Sequence, residues 1–340
     1  MNWLRYVLVV LLGATGLLGT PGLHAETTCN ITGSGLSFGS VDSVRDTEVT
    51  GYIGYRCQTF GNAGGVGLPD QSIPIQMCVG LGAGGSIGSS LADRRMENTY
   101  LDQVRFQLYK DPGRVEPWGE TVAATPSYLE VAIAIPAGAD SVEGTLDVHG
   151  LVPVQPDLAA GFYGSSLAGT LRYDYKENGN AKNLDCVANG QGSGMGGFLF
   201  NVDATVRGRC TVTATNLDFS PGGMPLLSTR TGNLTSTSTI ALECSRRTAW
   251  QVGLNNGANG LAADGASRQV CNAAGACIRY QLNRPPVHGG GRWGDTEGTD
   301  TADGSSNGTP QTLIVHGSIA DQPLTQAGLY SDTITVTLTY

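Results

Sequence analysis

The chain of 340 residues carries 20 basic and 29 acidic side chains, for a formal net charge of −9. An acidic chain with few basic clusters argues against nucleic acid as a partner. The composition includes 50 glycines and only 14% charged residues, and no long helical periodicity is visible. These features predict an all-β protein that is long enough for two domains.

The first 25 residues have the pattern of an export signal. A single charge at Arg5 precedes an apolar stretch over residues 7–18, and Ala25 offers a small residue at a cleavage site. The apolar stretch is too short to span a bilayer comfortably, although a membrane anchor is the alternative. We therefore expect a signal peptide over residues 1–25 and an exported mature chain over residues 26–340.

Short apolar–polar alternations separated by Gly, Pro and Asn turns follow the leader and predict β-strands. Seven such strands at this spacing favour an immunoglobulin-like β-sandwich. We label them A to G and expect them over residues 29–38, 50–57, 72–79, 103–109, 144–148, 169–175 and 198–207.

The remainder of the chain repeats this pattern. Four ordered matches occur, and the longest keeps a constant offset of 167 residues. Two copies indicate tandem domains rather than a solenoid. We expect a first domain over residues 26–208 and a second over 209–340. The matched pairs are 29–38 with 210–219, 104–108 with 278–282, 118–120 with 293–295, and 145–163 with 312–330.

Two motifs carry a resemblance to a known family. The first is Cys-x-[Ile/Val]-Thr-x-x-x-Leu-x-Phe, which opens both copies at Cys29 and Cys210. The second is the closing segment at residues 327–340. Both resemble the spore coat protein U domain, a family that includes the pilins of archaic chaperone–usher pili. The second domain matches throughout, and the first matches with insertions.

A two-domain member of this kind resembles the tip adhesin of such pili. The resemblance implies export through the periplasm to a pilus tip at the cell surface, attachment to an apolar or host surface, and biofilm formation. It also implies a periplasmic chaperone, an outer-membrane usher and an adjacent pilin subunit as partners. One alternative is a structural, non-adhesive pilus or spore-coat-like subunit. Another is a secreted carbohydrate-binding or hydrolytic sandwich.

The two copies end differently. The first continues through strand G, residues 198–206, which alternates strictly and can complete its own sandwich. The second reaches Tyr340 after its strand F, so we expect it to lack a last strand and to accept one from another chain. Only residues 26–28 would precede Cys29 after cleavage, which is too short for a donor strand and indicates a terminal position in the pilus. The alternative is an edge left open in a soluble two-domain protein.

The insertions of the first domain fall in its B–C, D–E and F–G loops, which we expect at the pole distal to the second domain. Exposed apolar side chains there would form a surface-binding patch. Two alternatives stay open: Trp118 matches Trp293 and is a core candidate, and residues 131–135 alternate like an additional strand. The surface-binding candidates are Phe60, Val66, Leu68, Val115, Trp118, Ile133 and Met195.

All eight cysteines lie in the predicted mature chain, and an even count in an exported protein predicts disulfides. Cys29–Cys57 and Cys210–Cys244 occupy equivalent places in the two copies. Cys271–Cys277 would close a small loop. Cys78 and Cys186 remain, and their bond would pin the F–G loop to strand C; free thiols are the alternative.

The sequence offers little for catalysis, and we predict neither an enzyme nor a cofactor or metal site. His149 and His316 are repeat equivalents at strand ends, which favours a structural role. The acidic residues between Asp295 and Asp303 have some likeness to a calcium site, but their spacing does not fit the helix–loop–helix pattern.

Overall fold

The computed structural model describes residues 26–60, 71–120, 128–175, 194–220, 229–260, 267–324 and 326–340. These residues form eighteen strands, and their only helical element is a 3₁₀ turn at Pro286–His288. None of the helical structure in these ranges is long and apolar enough to cross a membrane. The predicted leader, residues 1–25, lies outside the described residues. The all-β class is confirmed.

Ten strands in two layers form the first sandwich. One layer has the order β1-β3-β8-β6, and the other has the order β7-β4-β9-β10-β2; β5 joins them by pairing with β6 and touching β9 at one residue pair. The strands are β1 Glu26–Gly33, β2 Gly35–Val41, β3 Thr47–Phe60, β4 Ile73–Leu81, β5 Arg94–Glu97, β6 Gln103–Tyr109, β7 Leu129–Ile135, β8 Ser141–Val152, β9 Gly161–Tyr175 and β10 Gly194–Val206.

The predicted opening strand is divided between the two layers. Its first half, β1, runs antiparallel to β3, and its second half, β2, runs parallel to β10. The ladder with β3 changes register between Ile31 and Gly33, and the chain crosses between the layers there. This crossing places β2 beside β10, so the last strand of the first sandwich is flanked on both sides.

Strand β10 contributes a row of side chains to the first core. Its alternating residues Phe200, Val202, Ala204 and Val206 are all buried. The ring of Phe200 lies 5.6 Å from that of Trp118 in an edge-to-face arrangement. The predicted strict alternation of this strand is therefore confirmed, with its apolar face directed into the sandwich.

All seven predicted strands are present. Strand F begins eight residues earlier than predicted, at Gly161, and the other bounds differ by at most four residues. Two further strands, β5 and β7, complete the first sandwich. β7 contains residues 131–135 and pairs antiparallel with β4, so these residues form an additional strand, as their alternation predicted. Its side chains Val131 and Ile133 are half-buried and pack against the core.

Eight strands form the second sandwich around a separate core. One layer has the order β11-β12-β17-β15-β14, and the other has the order β16-β13-β18. β13 and β18 take the places of β4 and β9 in the first sandwich. The strands are β11 Cys210–Ala214, β12 Leu234–Cys244, β13 Ala249–Leu254, β14 Arg268–Cys271, β15 Cys277–Asn283, β16 Ala302–Ser305, β17 Gln311–Ile319 and β18 Val336–Thr339.

A buried arginine supports the core tryptophan in each sandwich. The Arg94 guanidinium donates to the carbonyl oxygens of Leu81, at 3.0 Å, and Trp118, at 2.7 Å. Arg268 donates in the same way to Leu254, at 2.8 Å, and Trp293, at 2.6 Å. Burial lowers the pKa of Arg94 to about 10, which leaves it charged at neutral pH. Neither arginine was predicted from the sequence as a core residue.

Three predicted disulfides are confirmed. Cys29–Cys57 joins directly opposed residues of β1 and β3, and Cys210–Cys244 does the same for β11 and β12. Cys271–Cys277 closes the β14–β15 hairpin. Cys78 is also disulfide-bonded, while its predicted partner, Cys186, lies outside the described residues.

Candidate functional site

The second sandwich has an open apolar groove along one side. Its cavity volume is about 910 Å³. One wall is residues 214–220, which begin at the last residue of β11, and the other is residues 326–335, which lead into β18 at Val336. The floor is formed by core side chains of the second sandwich, among them Leu234, Ile240, Leu254, Tyr280 and Val315.

The repeat explains why the groove is open. In the first sandwich, β10 pairs with β9 from Gly161 to Tyr173 on one side and with β2 on the other. The groove walls of the second sandwich are the counterparts of β2 and of the first part of β9. Among the described residues of the second sandwich, no strand lies between these walls. The groove therefore has the position of one missing strand, in agreement with the predicted incomplete fold.

The missing strand changes the burial of the residues that it would cover. The most exposed example is Tyr340, which is 61% exposed, whereas its counterpart in β9, Tyr173, is 6% exposed. Four apolar residues of the groove walls are half-buried where their counterparts are buried. These are Leu217 (Leu36), Phe219 (Phe38), Tyr330 (Tyr163) and Ile334 (Leu167).

The pole of the first sandwich where β3 ends and β10 begins, here called the distal pole, carries three of the candidate surface residues. Phe60 is 54% exposed at the end of β3, and Met195 is 76% exposed near the start of β10. Ile133 lies close to this end on β7 but packs against the core, so only part of its side chain is accessible. Val66 and Leu68 lie outside the described residues. The predicted F–G loop, residues 176–197, also lies outside them except for residues 194–197, which belong to β10.

Two of the candidate surface residues are not at the distal pole. Trp118 is 1% exposed, and its indole N–H donates to the carbonyl oxygen of Val79 at 2.8 Å. Its inclusion among surface-binding residues was wrong, because a side chain that fills the core has no area left for an external surface.

Val115 is exposed but lies away from Phe60. The neighbouring residue, Arg114, forms an ion pair with Glu48 at 2.9 Å and donates to the carbonyl oxygen of Gly150. Glu48 and Phe60 are separated by twelve positions along β3, which corresponds to roughly 40 Å of extended strand. The expected distal position of Val115 is therefore wrong, because its loop folds back towards the opposite end of the sandwich.

A cluster of charged residues joins the two sandwiches at the opposite pole. The buried carboxylate of Asp102 accepts from Arg246, at 2.9 Å, and from Arg247, both on the turn between β12 and β13. Arg247 also lies 4.0 Å from the centre of the Tyr100 ring. The amide of Ala160 donates to the carbonyl oxygen of Arg246 at 2.8 Å. We call this cluster the junction.

The charge of Asp102 is favoured at the junction. Burial alone would raise the pKa of this carboxyl, but the hydrogen bonds from Arg247 and Asn98 and the charges of the two arginines outweigh it. The pKa of Asp102 therefore lies below its usual value. A lowered folded-state pKa means that the stabilisation is present at neutral pH and is lost as the pH falls below about 4.

We expect acidification below the lowered pKa of Asp102 to loosen the relative orientation of the sandwiches, since the protonated carboxyl no longer attracts two arginines. Asp102→Asn should have the same effect at neutral pH, at a cost of about 1–3 kcal/mol. NMR residual dipolar couplings measured on each sandwich report this orientation. The exposed Asp147→Asn serves as control. An orientation that is unchanged in Asp102→Asn would contradict the role of the junction.

The histidines and acidic residues form no cluster that could hold a metal ion within the part of the chain that the structure describes. The Nδ1 atom of His149 lies 3.0 Å from the hydroxyl of Thr50 on the neighbouring strand. In the acidic loop, Asp300 is paired with Arg292 at 2.5 Å. Both observations are consistent with structural roles.

Comparisons with solved structures found low-identity likenesses. One chain from the structure of the complex between the chaperone CsuC and the tip adhesion subunit CsuE of archaic Csu pili from Acinetobacter baumannii matches at 16% identity and a TM-score of 0.43, covering 92% of this chain and 100% of that one. The CupB6 tip adhesin of Pseudomonas aeruginosa matches at 10% identity and 0.32, covering 93% and 95%. CfaE, the adhesive subunit of CFA/I fimbria of enterotoxigenic Escherichia coli, matches at 9% identity and 0.32, covering 92% and 81%.

Comparisons of sequence gave one clear assignment. A search of curated proteins found no match. The family model of the Spore Coat Protein U domain, in contrast, matches twice, at residues 15–170 and 197–337. Since these two segments together cover most of the chain, the protein belongs to the spore coat protein U domain family.

Proposed function

We propose that this protein is the adhesive tip subunit of an archaic chaperone–usher pilus. In this role the groove of the second sandwich accepts a β-strand, first from a periplasmic chaperone and then from the adjacent pilin at an outer-membrane usher. The first sandwich, exported to the cell surface, attaches to an apolar or host surface and promotes biofilm formation. The proposal includes no enzymatic activity.

The observation that carries the proposal is the open groove beside a completed copy of the same sandwich. A groove with unpaired strand edges and half-buried apolar walls is a site for β-strand addition. The same edges, left uncovered, would promote aggregation. The family resemblance supplies the pilus context, because spore coat protein U domains include pilins of archaic chaperone–usher pili.

The position at the pilus tip is supported by the beginning of the first sandwich. Residues 26–28 lie in β1 and pair with residues 58–60 of β3. They are part of the sandwich and do not extend from it as a donor strand. A subunit that accepts a strand in its groove but donates none from residues 26–28 would stand at the end of the pilus.

Attachment is proposed to reside in the distal pole. Replacing Phe60, Val66 and Leu68 together by serine is expected to reduce attachment of piliated cells to polystyrene by at least about tenfold, because each buried apolar side chain contributes about 1.5–3 kcal/mol. Pilus assembly, followed by electron microscopy, should be unchanged. Bacteria expressing each variant are counted after washing.

Val115→Ser is the matched control, since Val115 is 77% exposed but lies away from the distal pole. It should leave attachment unchanged. If the triple variant attached as well as the wild type, or if Val115→Ser lost as much attachment as the triple variant, the distal pole would be removed from the proposal.

A further inference from the structure

The wall of the open groove at residues 326–335 lacks the support that its counterpart receives. In the first sandwich the equivalent residues, 159–168, lie mostly in β9 and are held by the ladder with β10. In the second sandwich this segment is followed by the short strand β18, which pairs with β13. Other contacts must therefore hold the wall in place while the groove contains no strand.

One set of contacts centres on Asp332. Its Oδ2 atom accepts from the Tyr280 hydroxyl at 2.7 Å, and its Oδ1 atom accepts from the backbone N–H of Asn259 at 3.1 Å and of Thr333 at 2.9 Å. Burial and the hydrogen bond to Asp332 raise the pKa of Tyr280 well above its usual value, so the hydroxyl remains a donor. These bonds tie the wall to β15 and to the turn after β13.

The completed sandwich lacks this arrangement. The counterpart of Tyr280 is Phe106, which has no hydroxyl, and the counterpart of Asp332 is Ser165. The Ser165 hydroxyl is buried without a hydrogen-bond partner in the described structure. Gly257 has a φ of 84°, and a Cβ atom there would overlap the Asp332 carboxylate, so glycine is needed to admit this side chain. The polar contacts thus belong to the sandwich that has the open groove.

The second set of contacts comes from the β14–β15 hairpin. Cys271 and Ser331 exchange two backbone hydrogen bonds, of 3.0 and 3.1 Å, which attach the hairpin to the groove wall. The disulfide Cys271–Cys277 closes this hairpin. The first sandwich has the corresponding contact between Glu97 and Gly164. Its β5–β6 hairpin, however, has a side-chain hydrogen bond from Gln103 to Glu97, of 2.6 Å, in place of the disulfide.

We propose that the Tyr280–Asp332 hydrogen bond and the Cys271–Cys277 hairpin form a latch that holds the groove wall ready for strand entry. This inference rests on the proposed strand-accepting role of the groove and assigns positioning residues to it. The latch replaces the missing ladder in the free protein, so its main effect is on the association of a donor strand. Once a strand has been inserted, the new ladder holds the wall by itself.

The first sandwich supplies conservative variants for the test. Tyr280→Phe combined with Asp332→Ser, and Cys271→Glu combined with Cys277→Gln, each install the residues of the completed copy. The probe is a synthetic peptide with the sequence of Gly194–Val206, added to the mature two-domain chain. The exposed Asp303→Ser on β16 is the control.

Association and dissociation rates are measured separately. We expect each latch variant to lower the association rate constant by about tenfold and to change the dissociation rate constant by less than about twofold, because pre-organisation is removed only from the free groove. Hydrogen exchange at the amides of Ser331 and Thr333 in the peptide-free chain should accelerate by at least about tenfold, as local opening becomes easier.

Three results would overturn the latch. The first is an unchanged association rate with unchanged exchange at these amides. The second is a faster dissociation of the peptide from a latch variant with an unchanged association rate, which would indicate that the substitutions destabilise the bound sandwich as a whole. The third is a wild-type chain that does not bind the peptide although its wall amides are protected, which would refute the strand-accepting role of the groove and leave the latch without a purpose.

Discussion

Extending the chain beyond Tyr340 with a short turn and the sequence of Gly194–Val206 is expected to convert the second sandwich into a self-sufficient domain. In the first sandwich, Gly194 pairs with Tyr173, the counterpart of Tyr340, so the extension would begin in register. Its apolar row would cover the half-buried groove walls, and its backbone would pair with the open edges. The thermal unfolding midpoint should rise by at least about 10 °C, which corresponds to about 3 kcal/mol for a domain of this size.

The matched control is the same extension shifted by one residue. Because side chains alternate across a strand, this slip turns the apolar row towards solvent. The shifted extension should raise the thermal unfolding midpoint of the second sandwich only slightly. Equal stabilisation by both extensions, measured by differential scanning calorimetry, would mean that the groove does not recognise an alternating strand.

A second large effect is expected from the strand that completes the first sandwich. Phe200→Ala removes a fully buried ring from the contact with Trp118 and should lower the free energy of unfolding of this sandwich by about 3–5 kcal/mol. Urea denaturation followed by tryptophan fluorescence measures this change.

The neighbouring residue, Leu199, provides the comparison, because it points outward from the same strand. Leu199→Ala should cost less than about 1 kcal/mol. Similar losses for the two variants would show that β10 does not contribute its apolar row to the core, and the comparison between the two copies would then lose its basis.

Much of the fold could be predicted because the sequence contains two versions of one pattern. The alternation of residues 198–206 and the matched cysteines identified both a complete and an incomplete sandwich. The match between Trp118 and Trp293 indicated a core position, and the structure confirms it. A repeat of this kind acts as an internal control, since residues shared by both copies serve folding.

The remaining features depend on contacts that are distant in sequence. Asp102 meets Arg246 and Arg247 only after both sandwiches have folded and docked. The misplacement of Val115 has a similar cause, because the ion pair of Arg114 with Glu48 folds its loop back along the sandwich. The hydrogen bond between Tyr280 and Asp332 could have been suspected only from the loss of their counterparts in the first copy.

The most direct test of the central claim is sedimentation of residues 209–340 with and without the Gly194–Val206 peptide. The second sandwich has an open groove with exposed strand edges, so it should aggregate alone and form a monomeric one-to-one complex with the peptide. A stable monomer that sediments identically in the absence and presence of peptide would contradict the claim that another polypeptide must complete this sandwich.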